Sequence, residues 1–213
     1  MSISPTSIFQ EDITRLVDLP VNQTAYWDIP EGYTFSAEPP LIIRNPGYIE
    51  PDGCLCSPDI CKWCEEHAIE VHKFNHPCII ADNISDCRSI FAGCLSFNHK
   101  VVIPNGITDC SYMLYECTHF NQPIDIPNGV QNCSGLFAHC HVFNQPVKIP
   151  ASVTNCSSLF ASCLVFNQRF KIPDSVLDCS KMLYHCFEFD QYIIIPNSVT
   201  NCSNMFEGCL IGL

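Results

Sequence analysis

Residues 149–171 read IPASVTNCSSLFASCLVFNQRFK, and the chain rebuilds this 23-residue pattern in six successive units from residue 80 onward. Isoleucine opens each unit, at Ile80, Ile103, Ile126, Ile149, Ile172 and Ile195. A fixed period of about 20 to 50 residues is typical of repeat proteins, in which each unit buries its apolar face against its neighbours. The sequence therefore predicts a stack of six regular units.

Counting the isoleucine as position 1, positions 5, 8, 12, 15, 18 and 22 are apolar or cysteine in unit after unit. Positions 22 and 1 lie two residues apart with a variable residue between them, which is the alternation of a strand with one buried face. Asp or Asn at position 7 precedes apolar residues, a pattern typical of a capped helical turn. We expect an α/β fold with a parallel β-sheet, one short strand and one short helical turn per 23-residue coil.

Two stretches carry a family resemblance: FNQPVKIPASVTNCSSLFASC at residues 143–163 and VTNCSNMFEGC at residues 199–209. They resemble the BspA-like leucine-rich repeats of bacterial surface proteins and gut bacteriophages. The FNQP frame also resembles the FNIP repeats of amoebae and giant viruses. The resemblance covers residues 74–213, with cysteine at position 8 where Met or Ile is common in BspA-like repeats. It implies a leucine-rich-repeat-like right-handed solenoid and a non-enzymatic role in display or binding.

The first 56 residues do not repeat. They are rich in proline and aromatic residues, and up to residue 53 they carry eight acidic residues against two arginines. This composition is too apolar for a disordered segment and too proline-rich for long helices. Two interpretations remain open: residues 1–56 cap the first coil, or they attach the protein to another chain. We place the solenoid at residues 57–213, with a degenerate coil at 57–79 and six regular coils from residue 80.

Twelve of the seventeen cysteines occupy positions 8 and 15 of the units. Extending the 23-residue frame backwards places Cys61, Cys64 and Cys78 at inward positions as well. Positions 8 and 15 would be about 10 Å apart along a helical segment, which exceeds the reach of a disulfide. We expect buried, reduced cysteine ladders, a composition that suits folding in a reducing cytoplasm.

One cysteine cluster has an alternative interpretation. Cys54, Cys56, Cys61 and Cys64 lie in CLCSPDICKWC, and four thiolates at such spacing suffice for a tetrahedral zinc site. If Cys61 and Cys64 instead belong to the degenerate coil, both point into the core. We expect no cofactor, with zinc at this cluster as the alternative.

The residues that vary between units are candidates for recognition. Positions 21 and 23 should point outward if position 22 points inward, and they hold Lys100, Lys148, Arg169, Lys171 and Tyr192. Four of the ten basic residues of a chain with net charge −12 would thus share one face. This arrangement favours an acidic protein or an anionic glycan as ligand, the other interpretation being a solvated face that keeps the sheet soluble.

Charge and composition also exclude several functions. A net charge of −12 argues against nucleic acid as a partner, because phosphate binding needs a basic surface. The opening residues, MSISPTSIFQED, have neither the basic start nor the apolar run of a signal peptide, and no apolar stretch is long enough to span a bilayer. The histidines fall at unrelated repeat positions, and the aspartates at position 7 are explained as caps, so we expect no enzyme.

These observations favour a structural or display protein, most simply a component of a virus or phage particle, whose repeats bind protein or glycan. The alternative is a soluble intracellular adaptor that holds a partner protein through the sheet face. Both imply an oligomer or a multi-protein complex, with a host surface protein or glycan among the candidate partners. The predicted location is the virion or, for the adaptor, the cytoplasm.

Overall fold

A computed structural model of the protein describes residues 39–45, 47 and 56–209. The chain divides into two units at Pro39 and Pro40, and the description below concerns the second. Any prediction that depends on residues 1–38, 46, 48–55 or 210–213 lies outside the described residues.

The regular elements lie before the repeats. Strand β1 (Leu41–Ile43) is followed by helix α1 (Pro58–Glu66), a 3₁₀ helix (Val71–Lys73) and strand β2 (Cys78–Ile80). The two strands pair in parallel, with Leu41 opposite Cys78 and Ile43 opposite Ile80. β2 covers positions 22 to 1 of the 23-residue frame, where the sequence predicts a strand. Its partner β1 comes from the non-repeating segment.

Helix α1 begins at a clear sequence signal. Ser57 is the N-cap, its Oγ accepts a hydrogen bond from the Asp59 amide at 3.2 Å, and Pro58 occupies the first helical position. Ile60 and Cys64 form its buried side. The segment predicted as a degenerate coil at residues 57–79 thus begins with a nine-residue helix in place of one short helical turn, because the local cap and the helical spacing of buried residues determine its start.

From residue 80 onward, neighbouring units are joined in parallel at position 7. The bridges link Asp86 to Asp109, Asp109 to Asn132, Asn132 to Asn155, Asn155 to Asp178, and Asp178 to Asn201. The amides at positions 8, 10, 12 and 14 then donate to carbonyls of the following unit, as in Cys156 to Asp178 at 3.0 Å and Phe160 to Met182 at 2.9 Å. No backbone hydrogen bond joins the extended segments at positions 20 to 1 of successive units in the described part of the repeats.

This hydrogen-bonding pattern follows from backbone conformation. Positions 10 and 14 of every unit have positive φ, including Ser158 (54°) and Ser162 (58°). Amides at positions 11, 13 and 15 donate within the unit to the residue three earlier, whereas those at even positions are directed to the next unit. A left-handed residue at every fourth position prevents a continuous helix. The predicted helical turn is therefore a run of tight turns, and its free amides carry the inter-unit ladder.

The core consists of residues repeated at the spacing of 23. Positions 5, 8, 12, 15 and 18 are buried from Ile84 to Phe189. Phenylalanine rings at position 18 stack from unit to unit with centroids 6.0 to 6.2 Å apart. Position 11 also belongs to the core, although the sequence analysis did not include it, and it holds Ile90, Met113, Leu136, Leu159, Met182 and Met205.

Side-chain ladders satisfy polar groups between units. At position 7, the Asp or Asn oxygen accepts from the amide two residues later, as Asn155 Oδ1 does from Ser157 at 3.0 Å, which confirms the predicted capping. At position 19, Asn144 Oδ1 accepts from the backbone amide of Asn167 and from Nε2 of Gln168, both at 3.0 Å. Asparagine and glutamine side chains thus form an amide ladder that joins successive units at position 19.

The twelve cysteines at positions 8 and 15 form no disulfide in the structure; ten of them are buried as predicted, whereas Cys209 is half-buried and Cys202 is exposed. Those at position 15 donate to the position 12 carbonyl of the preceding unit, as Cys140 does to Leu114 at 3.1 Å. Burial raises the pKa of the Cys156 thiol to about 12, with Cys179 adding to the shift. The Cys156 thiol therefore stays protonated at neutral pH, and the buried cysteines of positions 8 and 15 serve both as apolar filling and as weak hydrogen-bond donors.

Candidate functional site

The extended segment at positions 21 to 1 alternates between the core and the surface. Val147 and Ile149 are each 5% exposed, whereas Lys148 between them is exposed. The same alternation places Lys171 outside and Ile172 inside in the following unit. We call the side chains at positions 21 and 23 the outward face. Successive side chains of an extended chain point to opposite sides. Because positions 22 and 1 are buried, the side chains at positions 21 and 23 therefore point into solvent.

All five residues predicted to form the binding face are exposed, namely Lys100, Lys148, Arg169, Lys171 and Tyr192. The structure brings two of them together, since Lys148 and Lys171 line one groove. Lys100 occupies position 21 three units before Arg169 and does not line this groove. Tyr192, at 86% exposure, occupies position 21 of the unit after Arg169.

The groove between these two units has a volume of about 570 Å³. Its lining consists of Val147, Lys148, Ile149, Ala151, Lys171, Pro173, Asp174 and Ser175. Val147, Ile149 and Pro173 are buried and form an apolar floor, whereas the charged side chains are exposed at the rim.

The cations of this region are available to a ligand. Within the described ranges, salt bridges are formed by Lys62, His72, Lys73 and Arg88, and none involves Lys148, Arg169 or Lys171. Asp174 brings one carboxylate to the rim of the groove. The site thus has two ammonium groups and one carboxylate around an apolar floor.

Arg169 is held in place by the amide ladder. Its Nε donates to Oε1 of Gln191 at 2.9 Å, and Nε2 of Gln191 donates to Oδ1 of Asn167 at 2.9 Å. The ladder that joins the units therefore also orients a guanidinium on the outward face. A guanidinium whose Nε is occupied retains its two terminal nitrogens for a carboxylate.

Sequence reasoning missed the part of the site that comes from the corner after the extended segment. Ala151, Pro173, Asp174 and Ser175 occupy positions 2 to 4, which the pattern indicates only as a turn. One signal was readable in the sequence. Position 3 holds Asp or Asn in the other five units, and Ala151 is the exception that leaves space beside Lys171.

The cysteine cluster near α1 is partly outside the description. Sγ of Cys56 lies 3.2 Å from Sγ of Cys61, Cys64 is buried, and Cys54 lies outside the described residues. Burial raises the pKa of the neighbouring Cys78 thiol far above its usual range, and Cys64 adds to this effect. Among the described residues, no group of three or more His, Cys, Asp or Glu side chains is arranged to hold a metal ion.

In the part of the chain that the structure describes, no helix has the length and apolar character needed to cross a membrane.

Comparison with known proteins gives one family match. The model of the family described as "Mycoplasma protein of unknown function, DUF285" matches residues 79–172 and, in a second placement, residues 128–210. No curated protein and no solved structure matches the chain. The match is compatible with the resemblance to BspA-like repeats. Because the two placements together span more than half of the 213 residues, the protein belongs to the DUF285 family of repeat proteins.

Proposed function

We propose that the protein is a non-enzymatic binding scaffold and that its outward face holds an anionic partner. One observation carries the proposal: Lys148 and Lys171 repeat at position 23 of adjacent units, line the same groove and form no salt bridge within the described ranges. In a chain of net charge −12, exposed cations gathered on one face favour a ligand of opposite charge.

The proposed architecture is a leucine-rich-repeat-like right-handed solenoid of the BspA type. Parallel bridges between residues 23 apart and the stacked phenylalanine column support it. In such a protein each unit contacts its neighbours, and a ligand binds across several units at once. A flat, regularly spaced outward face suits display of a binding surface better than it suits catalysis, which needs convergent groups in an enclosed site.

We further propose that the protein is a component of a larger assembly, most simply a virus or phage particle. The pairing of β1 with β2 supports a cap formed by part of the non-repeating segment, and the proline-rich and aromatic composition of residues 1–56 supports an attachment role. An intracellular adaptor remains the second candidate, because the free thiols at positions 8 and 15 suit a reducing cytoplasm. Co-sedimentation of the protein with assembled particles distinguishes a particle component, which should sediment with them, from an intracellular adaptor, which should not.

Site-specific photo-cross-linking tests the outward face directly. The variant Tyr192→p-benzoyl-phenylalanine places the cross-linker on that face, and Tyr112→p-benzoyl-phenylalanine is the matched control at position 10 on another surface, 44% exposed. In producing cells, we expect a discrete cross-linked product from position 192 that is lost when Lys148, Arg169 and Lys171 are changed to Glu. Equal products from both positions, or a product that survives the charge reversal, would contradict the proposal.

A further inference from the structure

The groove between Lys148 and Lys171 has a chemistry that goes beyond a general preference for anions. Its floor is apolar and buried at Val147, Ile149 and Pro173. The two ammonium groups stand at the rim together with the carboxylate of Asp174. A ligand that binds here should present acidic groups to the lysines, and a hydrogen-bond donor or a positive charge beside Asp174 would complement that exposed carboxylate.

The spacing of the lysines adds a geometric requirement. Lys148 and Lys171 occupy the same position in adjacent units, so their separation repeats the spacing between units. Five residues earlier in each unit, the rings of Phe143 and Phe166 have centroids 6.0 Å apart. In an extended peptide, side chains two residues apart share a face and are separated by roughly 6.8 Å. A peptide strand running along the stack therefore places acids at i and i+2 beside the two lysines.

From these observations we infer that the groove binds an extended acidic peptide segment of the form acid-x-acid. The inference rests on the proposed binding function and specifies its ligand. A backbone amide of the peptide donates a hydrogen bond to Asp174, whereas that carboxylate would repel a densely charged sulfated or uronic polysaccharide.

Fluorescence anisotropy with labelled synthetic peptides tests this assignment. The probe is Leu-Thr-Glu-Thr-Glu-Thr, with blocked termini, and its control is Leu-Thr-Glu-Glu-Thr-Thr, which has the same composition but places the two acids on opposite faces. We expect the probe to bind more tightly than the control. The affinity should weaken as sodium chloride is raised, because exposed charge pairs are screened by salt.

Protein variants locate the binding. The double variant Lys148→Glu and Lys171→Glu should lower the affinity for the probe about tenfold or more, since two exposed pairings are lost and replaced by repulsion. Lys181→Glu is the control, because Lys181 is exposed, lies at position 10 and does not line the groove. It should leave the affinity unchanged within about twofold, as expected for a distant surface charge. Circular dichroism and the melting temperature of each variant verify that it is folded.

Three outcomes would overturn the inference: equal affinity for the two peptides, an equal loss with Lys181→Glu, or no peptide binding. A third probe, a heparin-type sulfated oligosaccharide, separates the inference from the function on which it rests. If the oligosaccharide binds more tightly than the peptide and depends on the same lysines, the peptide assignment is wrong while the anion-binding face stands. If the cross-linking at Tyr192 also fails, both the peptide assignment and the proposed anion-binding face are wrong.

Discussion

The Sγ of Cys163 donates a hydrogen bond to the carbonyl oxygen of Phe137 at 3.1 Å, across 26 residues of sequence. The same bond recurs at 3.0 to 3.1 Å from Cys117, Cys140, Cys186 and Cys209. The thiol at position 15 is therefore a polar link between consecutive units as well as a small apolar side chain. A protonated thiol is required for this bond, since a thiolate has no hydrogen to donate.

Alkaline pH should therefore destabilise the protein steeply. Burial raises the pKa of the position 15 thiol Cys163 well above its usual range, and it raises the pKa of the position 8 thiols Cys156 and Cys179 to about 12 and about 11, whereas a thiol in the unfolded chain titrates near 8.5. The unfolded state loses these protons first, so the stabilisation is complete below about pH 8.5 and is lost as the pH rises towards the folded pKa. Each such thiol contributes about 1.4 kcal/mol per pH unit in that interval.

Urea unfolding from pH 7 to pH 10, with reductant present, measures this dependence. The variant Cys156→Ala should show a shallower decline of the unfolding free energy above pH 9 than the parent protein, because one titrating group is removed. A free energy that does not change between pH 8 and pH 10 would show that the thiols are not buried as described.

Gly47 should be intolerant of any side chain. Its amide donates to the Arg88 carbonyl at 2.8 Å, and a Cβ atom at this position would lie 2.0 Å from the Ser89 carbonyl oxygen. We expect Gly47→Ala to destabilise the fold by about 1–3 kcal/mol, through overpacking and loss of this bond. Gly106→Ala is the matched control, since its Cβ would meet nothing within 4 Å. Thermal unfolding of both variants checks the prediction, and equal melting temperatures would contradict it.

The asparagine ladder at position 19 should require the side-chain oxygen as a hydrogen-bond acceptor and should not require the side-chain NH₂ group. Asn144→Ala removes the partner of the Asn167 amide and of Gln168 Nε2, and we expect a loss of about 1–3 kcal/mol for the unsatisfied donors. Asn144→Asp keeps both acceptor positions and should be tolerated at neutral pH. Denaturant unfolding distinguishes the two variants, and an equally destabilised Asp variant would argue against the ladder.

The left-handed residues at position 10 should reject β-branched side chains. Ser158 has φ of 54°, and Gly135 occupies the equivalent position of the preceding unit with φ of 60°. Ser158→Val should cost about 1–2 kcal/mol, because a branched side chain is strained in this region. Ser158→Gly should retain the stability of the parent. The melting temperatures of the pair test the prediction, and a Val variant as stable as the Gly variant would refute it.

The period of 23 predicted the stacking of units, the buried positions and the alternation that exposes Lys148 and Lys171, because each depends on where apolar residues recur. It did not predict where the units are hydrogen-bonded. That depends on positive φ at positions 10 and 14, where residues as different as Tyr112, Lys181 and His139 give no common signal. Proline at position 2 removes a donor beside the extended segment in five units, which helps to place the ladder elsewhere.

Before residue 80, local sequence signals are more informative than the repeat frame. Extending the repeat frame backwards predicts a coil with only a short helical turn, whereas Ser57 and Pro58 carry the local signal for the start of the longer helix α1. In the groove, the lysines were predictable from their outward positions, while Pro173 and Asp174 were not, because they come from a corner whose direction the period does not determine.

The inter-unit ladder at positions 8 to 14 has a fixed polarity, since its amides point towards later units and its carbonyls towards earlier ones, whereas the amide at position 6 donates to the preceding unit, as Thr154 does to Gln131. At the first regular unit, the carbonyls of Arg88 and Ile90 accept from Gly47 and Ser57 instead. The bonds from positions 8, 10, 12 and 14 repeat at every junction between the regular units that the structure describes. An in-frame duplication of 23 residues would therefore insert a complete unit and leave each existing junction intact. Changes in copy number can lengthen the outward face in steps close to the 6.0 Å between the Phe143 and Phe166 rings, without any new contact having to evolve.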